Sequence, residues 1–227
     1  MRMLIHDWLD REFVALAGEG PPALSPAEQA QALIEQFDQR LRSVGLSLEH
    51  TVRTRLWGRD RPSRDSGSGE RVRLLAGGAR SVSSSYIAPE HFDSEASVAL
   101  DLLAMRPSEP GPGKTLVEYD PPIVPLRYLV YDSVVFLSGV TSETGNLDEQ
   151  VAEILPRISG SLGDAQTAWG RAVRVSSFLH RSQSLDRLKG LLAPLVPSSV
   201  PRQYGFADGY STPGKLVEIE VTAQLAK

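Results

Sequence analysis

Apolar and polar residues follow two periods along this chain, and these periods predict its strands and helices. The segment Leu216–Ala223 alternates with a period of two, with apolar positions 217, 219 and 221 on one face and glutamates 218 and 220 on the other. The segment Pro26–Val44 instead has apolar residues at 30, 33, 34, 37, 41 and 44, which form one face of a helix. Ser25 suits the N-cap of this helix, Glu28 suits its third position, and Gly45 suits its end.

The same succession of elements occurs twice. A shift of about 121 residues places the strand, helix and strand patterns of the first half on those of the second, and Arg80 falls on Arg202 with one residue of slippage. Each half has the order ββαβαββ, which predicts an α+β fold with an open mixed sheet and two helices on one face. The segment 107–113, rich in proline and glycine, predicts a linker. We therefore expect a domain at 1–106, a linker at 107–114 and a domain at 115–227.

The remaining segments complete this order. Strands are predicted at 2–9, 12–18, 52–57, 80–87, 96–105, 115–118, 127–131, 134–140 and 172–180. The polar segment 62–69 predicts a loop, followed by a short helix at 71–76. Helices are predicted at 147–162, with a kink or a break caused by Pro156, and at 184–195.

The composition excludes several classes of protein and site. The chain has 227 residues, 41% of them hydrophobic and 23% charged, which is typical of a globular protein. The net charge of −4 gives no reason to expect nucleic acid as a partner. The chain has no cysteine, and its four histidines lack the spacing of metal ligands. We see neither an apolar run long enough to span a membrane nor a signal peptide, so we expect no membrane partner and a cytoplasmic protein.

Arg202 and Glu218 form the strongest chemical pair in the sequence. Arg202 opens an extended segment, and Glu218 lies in the last predicted strand. Two antiparallel strands would bring both side chains toward one end of a hairpin. A guanidinium can hold a carboxylate through two parallel hydrogen bonds, and a glutamate can position a water or carry a proton. On spacing alone, a surface salt bridge is the commoner outcome of such a pair.

The C-terminal segment 197–223 resembles the signature of the Rid/YjgF family, the reactive-intermediate deaminases. In that family a Pro-x-Arg motif precedes a strand, and a strand similar to Leu-Val-Glu-Ile-Glu follows. The segments 134–139 (VVFLSG) and 169–179 (WGRAVRVSSFL) are similar to two further strands of the family. The resemblance implies two tandem Rid/YjgF-like domains with the chorismate-mutase-like fold. It also implies a homo-oligomer, with a trimer favoured.

The resemblance also assigns roles to single residues. Arg202 would bind the carboxylate of the substrate, and Glu218 would place the attacking water. Ser138 and Gly139 match the family's Ser-Gly, whose backbone lies near the substrate, although a strand end that needs a small residue explains them equally well. Tyr204 stands two residues after the arginine, where the family often has a cysteine.

The first half departs from this pattern. Arg80 is kept, but alignment of the last strands places Ala99 where Glu218 stands. We therefore predict that the first domain is degenerate and mainly structural, and that the second carries the active site. Lys189 stands where the family often has an asparagine; it would either pair with an acidic substrate or lie on a solvated helix face.

The resemblance implies a hydrolase acting on a small carboxylate-bearing molecule, by enamine or imine deamination to a 2-oxo acid and ammonia. No metal and no organic cofactor are expected. A diverged biosynthetic enzyme of the same fold, such as a chorismatase-like hydrolase or a cyclase, is the second hypothesis. A non-catalytic binding or scaffold protein that retains the sheet surface is the third.

Overall fold

Each half of the chain forms its own sheet with helices on one face. The computed structural model describes residues 1–109, 111 and 113–225. The chain divides into two compact units, Met1–Leu116 and Val117–Lys227. Two residues of the predicted linker, Pro110 and Pro112, lie outside the described residues. Among the described residues, no helix is long and apolar enough to cross a membrane.

The first unit follows the predicted order ββαβαββ. Its elements are β1 (Arg2–Trp8), β2 (Arg11–Glu19), α1 (Pro26–Ser43), β3 (Thr51–Gly58), α2 (Arg61–Leu74), β4 (Val82–Ile87) and β5 (Val98–Met105). In the sheet the strands lie in the order β1-β2-β5-β3-β4. The pair β3–β4 is parallel, and the other neighbours are antiparallel.

The second unit repeats this topology. Its elements are β6 (Thr115–Val117, at the junction of the units), β7 (Tyr128–Tyr131), β8 (Val134–Leu137), β9 (Val140–Thr141), α3 (Leu147–Asp164), β10 (Ala172–His180), α4 (Leu185–Leu192), β11 (Arg202–Ala207) and β12 (Val217–Gln224). The sheet order is β11-β10-β12-β8-β7-β6, and β9 pairs with β12. The predicted strand 134–140 is thus interrupted at residues 138 and 139.

The predicted helix faces form the cores of both units. In the first unit the apolar positions of α1 pack with alternate residues of β2, β3 and β5. In the second unit the apolar positions of α3 and α4 pack with alternate residues of β8, β10 and β12. The opposite face of each sheet consequently carries the remaining side chains of these strands, because successive residues of a strand point to opposite faces.

Helix α1 begins with the predicted capping box. The Ser25 hydroxyl accepts a hydrogen bond from the Glu28 backbone N–H, and the Ser25 N–H donates to the Glu28 carboxylate at 2.9 Å. Helix α3 begins in the same way, with Asn146 as N-cap and Glu149 as its partner. Each box satisfies backbone N–H groups that have no partner inside the helix, so both helices start at positions fixed by the sequence.

The prediction of a loop at 62–69 is wrong, because this segment lies inside helix α2. Asp60 caps the helix by accepting from the Ser63 N–H at 2.8 Å, and proline stands in the first turn, where it is tolerated. Gly67 faces the sheet, and a Cβ there would lie 3.0 Å from Val98 and 3.1 Å from Leu56. The glycine therefore permits close packing of α2 on β3 and β5, which the polar sequence pattern did not reveal.

Of the kink or break predicted at Pro156, the break does not occur. Helix α3 continues from Leu147 to Asp164 with Pro156 inside it. The apolar side chains on either side, Ile154 and Ile158, are both fully buried. Burial of this continuous apolar face compensates for the hydrogen bond that the proline cannot donate.

The predicted hairpin between the last two strands does not form. β11 pairs in parallel with β10, and β12 pairs antiparallel with the other side of β10. The two strands are therefore separated by a central strand, and the helix α4 stands in the connection between β10 and β11 as a crossover.

Candidate functional site

The carboxylate of Glu218 lies in the space left by a glycine. Glu218 is only 7% exposed, and in the sheet it stands opposite Phe178 on β10 and Thr141 on β9. A Cβ at Gly139 would lie 2.6 Å from the Cγ atom of Glu218 and closer still to its carboxylate. Any larger residue at 139 would therefore displace Glu218, which links two predicted site residues by direct packing.

Ser138 precedes this glycine at the interruption between β8 and β9. Its backbone N–H donates to the Arg127 carbonyl at 3.3 Å. Its side chain is 1% exposed, and its hydroxyl has no hydrogen-bond partner among the described residues. A buried polar group without a partner costs free energy, so such groups are often found where a ligand or water completes the hydrogen bond.

Tyr210 was missed by the sequence interpretation. Its hydroxyl donates to the Phe178 carbonyl at 2.8 Å, and its ring is buried. Burial raises the pKa of Tyr210 strongly, and the charge of Glu218 raises the pKa further. The tyrosine is thus a neutral phenol near the carboxylate. Its aromatic ring was noticed only as part of a strand pattern, and no motif marked it.

Arg202 lies on the other side of the sheet from Glu218. Arg202 stands opposite Val175, a core residue on the helix side, whereas Glu218 stands opposite Phe178. Positions 175 and 178 are an odd number of residues apart, so their side chains point to opposite faces. The Arg202 guanidinium donates to the Val196 carbonyl at 2.6 Å, next to the end of α4. The predicted clamp of arginine and glutamate is therefore not assembled within the second unit.

Tyr204 and Lys189 accompany Arg202 on the helix side. The Tyr204 ring packs against the core cluster of the second unit, and the Lys189 ammonium lies 5.9 Å from the centre of that ring. Lys189 also pairs with Asp186 at 3.3 Å on an exposed face of α4. Of the predicted site residues in this unit, Ser138, Gly139 and Glu218 come together, and the other three form a separate group.

The position two residues after Pro201 is Gln203, and Gln203 faces the Glu218 side. It stands opposite Ser176, whose hydroxyl donates to the Gln203 carbonyl oxygen at 3.3 Å. The family's Pro-x-Arg spacing, counted from Pro201, therefore falls on a glutamine. Strict counting of this spacing was the signal that the sequence interpretation overlooked.

In the first unit, Arg80 lies just before β4. Its backbone carbonyl accepts a hydrogen bond from the Lys114 ammonium at 2.6 Å. Ala99 stands opposite Trp57, as Glu218 stands opposite Phe178, so the aligned position has no carboxylate. Glu19 on β2 stands directly across from Ala99. The first unit therefore has a carboxylate on the neighbouring strand instead.

No arrangement typical of a metal site is present in the part of the chain that the structure describes. A search for three or more histidine, cysteine, aspartate or glutamate side chains that could hold one ion finds none there. The groups that the structure describes near Glu218 include Gly139, the Ser138 hydroxyl and the Tyr210 phenol.

A scan against protein-family models gives no match, and neither does a search of curated proteins. Among solved structures, a chorismatase is similar, with a TM-score of 0.69 and 16% identity over 94% of this chain and 74% of that chain. A Rid-family protein of unknown function from Yersinia pestis matches 50% of this chain and 100% of its own, with 18% identity and a TM-score of 0.45. A YjgF-family member from Neisseria meningitidis matches 50% of this chain and 96% of its own, with 17% identity and a TM-score of 0.44.

The similarity to chorismatase extends over almost the whole chain, and each half has the ββαβαββ order deduced from the repeat. The predicted fold is thereby confirmed: the protein consists of two tandem Rid/YjgF-like domains with the chorismate-mutase-like α+β fold, as in chorismatase.

Proposed function

We propose that this protein is a hydrolase that acts on a small carboxylate-bearing molecule, with Glu218 as the group that moves the proton. The observation that carries this proposal is the buried Glu218 carboxylate, packed on Gly139 beside the unpartnered hydroxyl of Ser138. A positioned carboxyl group can carry a proton between water and substrate. The Ser138 hydroxyl supplies a donor for a substrate oxygen or for the attacking water.

The first candidate reaction is hydrolysis of an enamine or imine. Protonation of the terminal carbon of 2-aminoacrylate gives the iminium form, and Glu218 can supply that proton. Water then adds to the iminium carbon, and loss of ammonia leaves pyruvate, so that one water is consumed for each ammonia released. Glu218 takes the proton from the attacking water and is ready for the next turnover.

The second candidate reaction is hydrolysis of the enolpyruvyl ether of chorismate, and the similarity to chorismatase over most of the chain favours it. Here the carbon–carbon double bond carries an ether oxygen in place of nitrogen. Protonation of the terminal carbon, addition of water and loss of the alcohol again release pyruvate. The two reactions need the same proton transfer from Glu218 and differ in the leaving group.

Arg202 has no place in this proposal. Its guanidinium lies on the helix side of the sheet and is bonded to the Val196 carbonyl. The carboxylate of the substrate would instead meet groups on the Glu218 face, where Ser138 and Gln203 are two neutral donors.

The test is an assay of both reactions with the same protein. Pyruvate release is measured from chorismate and from 2-aminoacrylate generated in place, and ammonia is measured in the second case. We expect turnover of one substrate, and a loss of about 100-fold to 10,000-fold in kcat for Glu218→Gln, because an amide cannot donate or accept the proton. Glu95→Gln, a change in an exposed loop of the first unit, is the matched control.

Undiminished turnover by Glu218→Gln would overturn the assignment of the proton carrier. Saturable binding of chorismate by calorimetry without turnover of either substrate would instead favour the non-catalytic binding protein.

We also propose a homo-oligomer, with a trimer favoured by the family resemblance. In the described sheets, β1, β4, β6 and β11 are terminal strands, whose outer edges expose backbone groups that a neighbouring chain can cover. Light scattering on the purified protein gives the mass of the assembly directly, and a monomer would contradict this proposal.

A further inference from the structure

The first unit contains a cavity at the place that corresponds to the Glu218 site in the repeat. The cavity has a volume of about 570 Å³. Its lining includes Ala17 and Gly18, which align with Ser138 and Gly139, and Ala99, which aligns with Glu218. Where the second unit has the Glu218 side chain, the first unit has only the methyl group of Ala99, and the volume of the cavity is typical of a small-molecule site.

Glu19 fixes one wall of this cavity. One oxygen of its carboxylate accepts from the Asp93 N–H at 2.8 Å, and the other accepts from the N–H of Ser94 at 3.1 Å and from the Ser94 hydroxyl. Burial raises the pKa of Glu19, but these hydrogen bonds outweigh burial and lower the pKa below its ordinary value. Glu19 is therefore ionised at neutral pH and ties the loop 89–95 to the end of β2.

Asp101 and His91 form a second wall, built on Trp57. The Trp57 indole N–H donates to one oxygen of Asp101 at 3.1 Å. The His91 ring stacks on the indole with 4.1 Å between ring centres and an angle of 15° between planes. Neither nitrogen of the His91 ring has a hydrogen-bond partner among the described residues. Desolvation lowers the pKa of His91, and the attraction of Asp101, Glu19 and Asp93 only partly opposes this.

The charge of the lining is negative. Three carboxylates, those of Glu19, Asp93 and Asp101, stand against two positive groups, the guanidinium of Arg2 and the N-terminal amino group of Met1. The side chains of Asp93 and Arg2 make no hydrogen bond or ion pair within the described part of the chain. Carboxylates that converge on one cavity repel each other, and a positively charged ligand removes that repulsion while donating hydrogen bonds to them.

We propose that this cavity binds a small molecule bearing a protonated amine, with Asp101 and Asp93 as acceptors for the ammonium group and His91 and the small residues as the wall for its carbon skeleton. The ligand class is thus opposite in charge to the carboxylate expected at Glu218. The proposal rests on the first unit alone, so it stands whether or not the second unit is catalytic.

Three small probes that share a phenyl ring but differ in the charge of their polar group test this proposal. Benzylammonium, benzyl alcohol and benzoate are titrated separately into the full chain at pH 7.5, with binding followed by calorimetry and by the indole N–H resonance of Trp57. We expect saturable binding of benzylammonium that shifts the Trp57 resonance, at least about tenfold weaker binding of benzyl alcohol, and weaker binding still of benzoate. Trp57→Phe identifies the resonance among the three indoles of the chain.

Variants locate the site. We expect Asp101→Asn and Asp93→Asn each to weaken benzylammonium binding about tenfold, because each removes one charged acceptor. Asp186→Asn removes the same charge from an exposed face of α4 in the second unit and should leave binding unchanged. The unfolding transition of each variant shows whether it is folded.

Three results would overturn the proposal. They are tighter binding of benzoate than of benzylammonium, equal losses from Asp186→Asn and Asp101→Asn, and saturable binding that leaves the Trp57 resonance in place.

Discussion

Gln29 and Gln150, 121 positions apart, accept equivalent hydrogen bonds in the two units. Both are buried near the start of a helix, and each accepts from the backbone at the entry to the last strand of its sheet. Gln29 accepts from the N–H groups of Ser97 and Val98 at 3.0 Å, and Gln150 accepts from that of Leu216 at 2.8 Å. Their amide groups donate to the backbone carbonyls of Leu24 and Gly214.

We expect these two glutamines to contribute to the stability of the protein and not to its activity. Gln29→Leu and Gln150→Leu leave buried backbone N–H groups without partners, so each should lower the free energy of unfolding by about 1–3 kcal/mol. Urea denaturation measures the loss. Gln31→Leu, an exposed change on the same helix as Gln29, is the control and should change stability by less than about 0.5 kcal/mol.

We expect the substitution Gly139→Ala to be tolerated only when a shorter side chain replaces that of Glu218. A methyl group at 139 overlaps the Glu218 side chain, so Gly139→Ala should cost about 1–3 kcal/mol of unfolding free energy and reduce any Glu218-dependent turnover. In a Glu218→Ala background the same change should cost much less. A double-mutant cycle measures this coupling.

Gly163→Ala provides the matched control for this cycle. Gly163 lies in α3, and a Cβ there has no atom within 4 Å, so alanine should be neutral or stabilising. Additive effects of Gly139→Ala and Glu218→Ala would contradict the direct packing of these two residues.

The fold followed from periodicity because the helices α1 and α3 bury one apolar face against the sheets. Ser25 with Glu28 and the apolar positions of α1 and α3 specify helices whose limits the structure confirms closely. Only the end of helix α2 was predicted, because the helix packs through Gly67 and its buried residues, Ser63, Gly67 and Arg71, form no apolar face. Packing through a close approach of two backbones does not require apolar side chains, so it produces no hydrophobic pattern in the sequence.

The candidate site was predicted only in part, for reasons of strand register. Glu218 and Gly139 were found because they lie in segments that carry a family pattern. Arg202 was paired with Glu218 on the assumption of a hairpin, but the crossover through α4 places β10 between their strands. A shift of one residue reverses the face of a strand side chain, so the offset of one residue between Arg202 and the Pro-x-Arg position at Gln203 decides which of them faces Glu218.

A substitution of Arg202 tests whether the helix side of the sheet takes part in turnover. Arg202→Met keeps much of the apolar stem and removes the hydrogen bond to the Val196 carbonyl. We expect a loss of about 1 kcal/mol in unfolding free energy and a change of less than about threefold in kcat/KM for the substrate that the wild type turns over. A loss of turnover as large as that of Glu218→Gln would show that Arg202 acts on the substrate.

Pro156→Ala is expected to stabilise the protein. The proline is exposed on a continuous helix, and alanine restores a backbone N–H that can donate to the carbonyl four residues earlier. We expect a gain of about 1–3 kcal/mol in unfolding free energy, measured by urea denaturation.

Ala152→Gly, on the exposed face one turn earlier, should lower stability by about 1 kcal/mol if this turn is as regular as the structure indicates. Lower stability of Pro156→Ala would mean that the proline is needed for the path of α3.

Lys114 makes the stability of the first unit depend on pH. Its ammonium donates to the carbonyls of Thr51 and Arg80 at 2.7 and 2.6 Å, and desolvation lowers the pKa of Lys114 to about 8 although the charge of Glu49 opposes this. The unfolded chain keeps the proton on this lysine up to its ordinary pKa of about 10.4. Between these two values the unfolded state binds more protons, so the free energy of unfolding should rise with pH, by roughly 1–3 kcal/mol from this group.

The measurement is urea denaturation at intervals between pH 7 and 11, for the wild type and for Lys114→Met. The methionine fills similar space but does not titrate, so its stability should lack the rise that the wild type shows above about pH 8. Subtraction of the two curves removes the contributions of tyrosines and other lysines, which both proteins share. A difference that falls with pH, or that stays constant, would mean that the folded unit favours the charged form through its two carbonyl hydrogen bonds at least as strongly as water does.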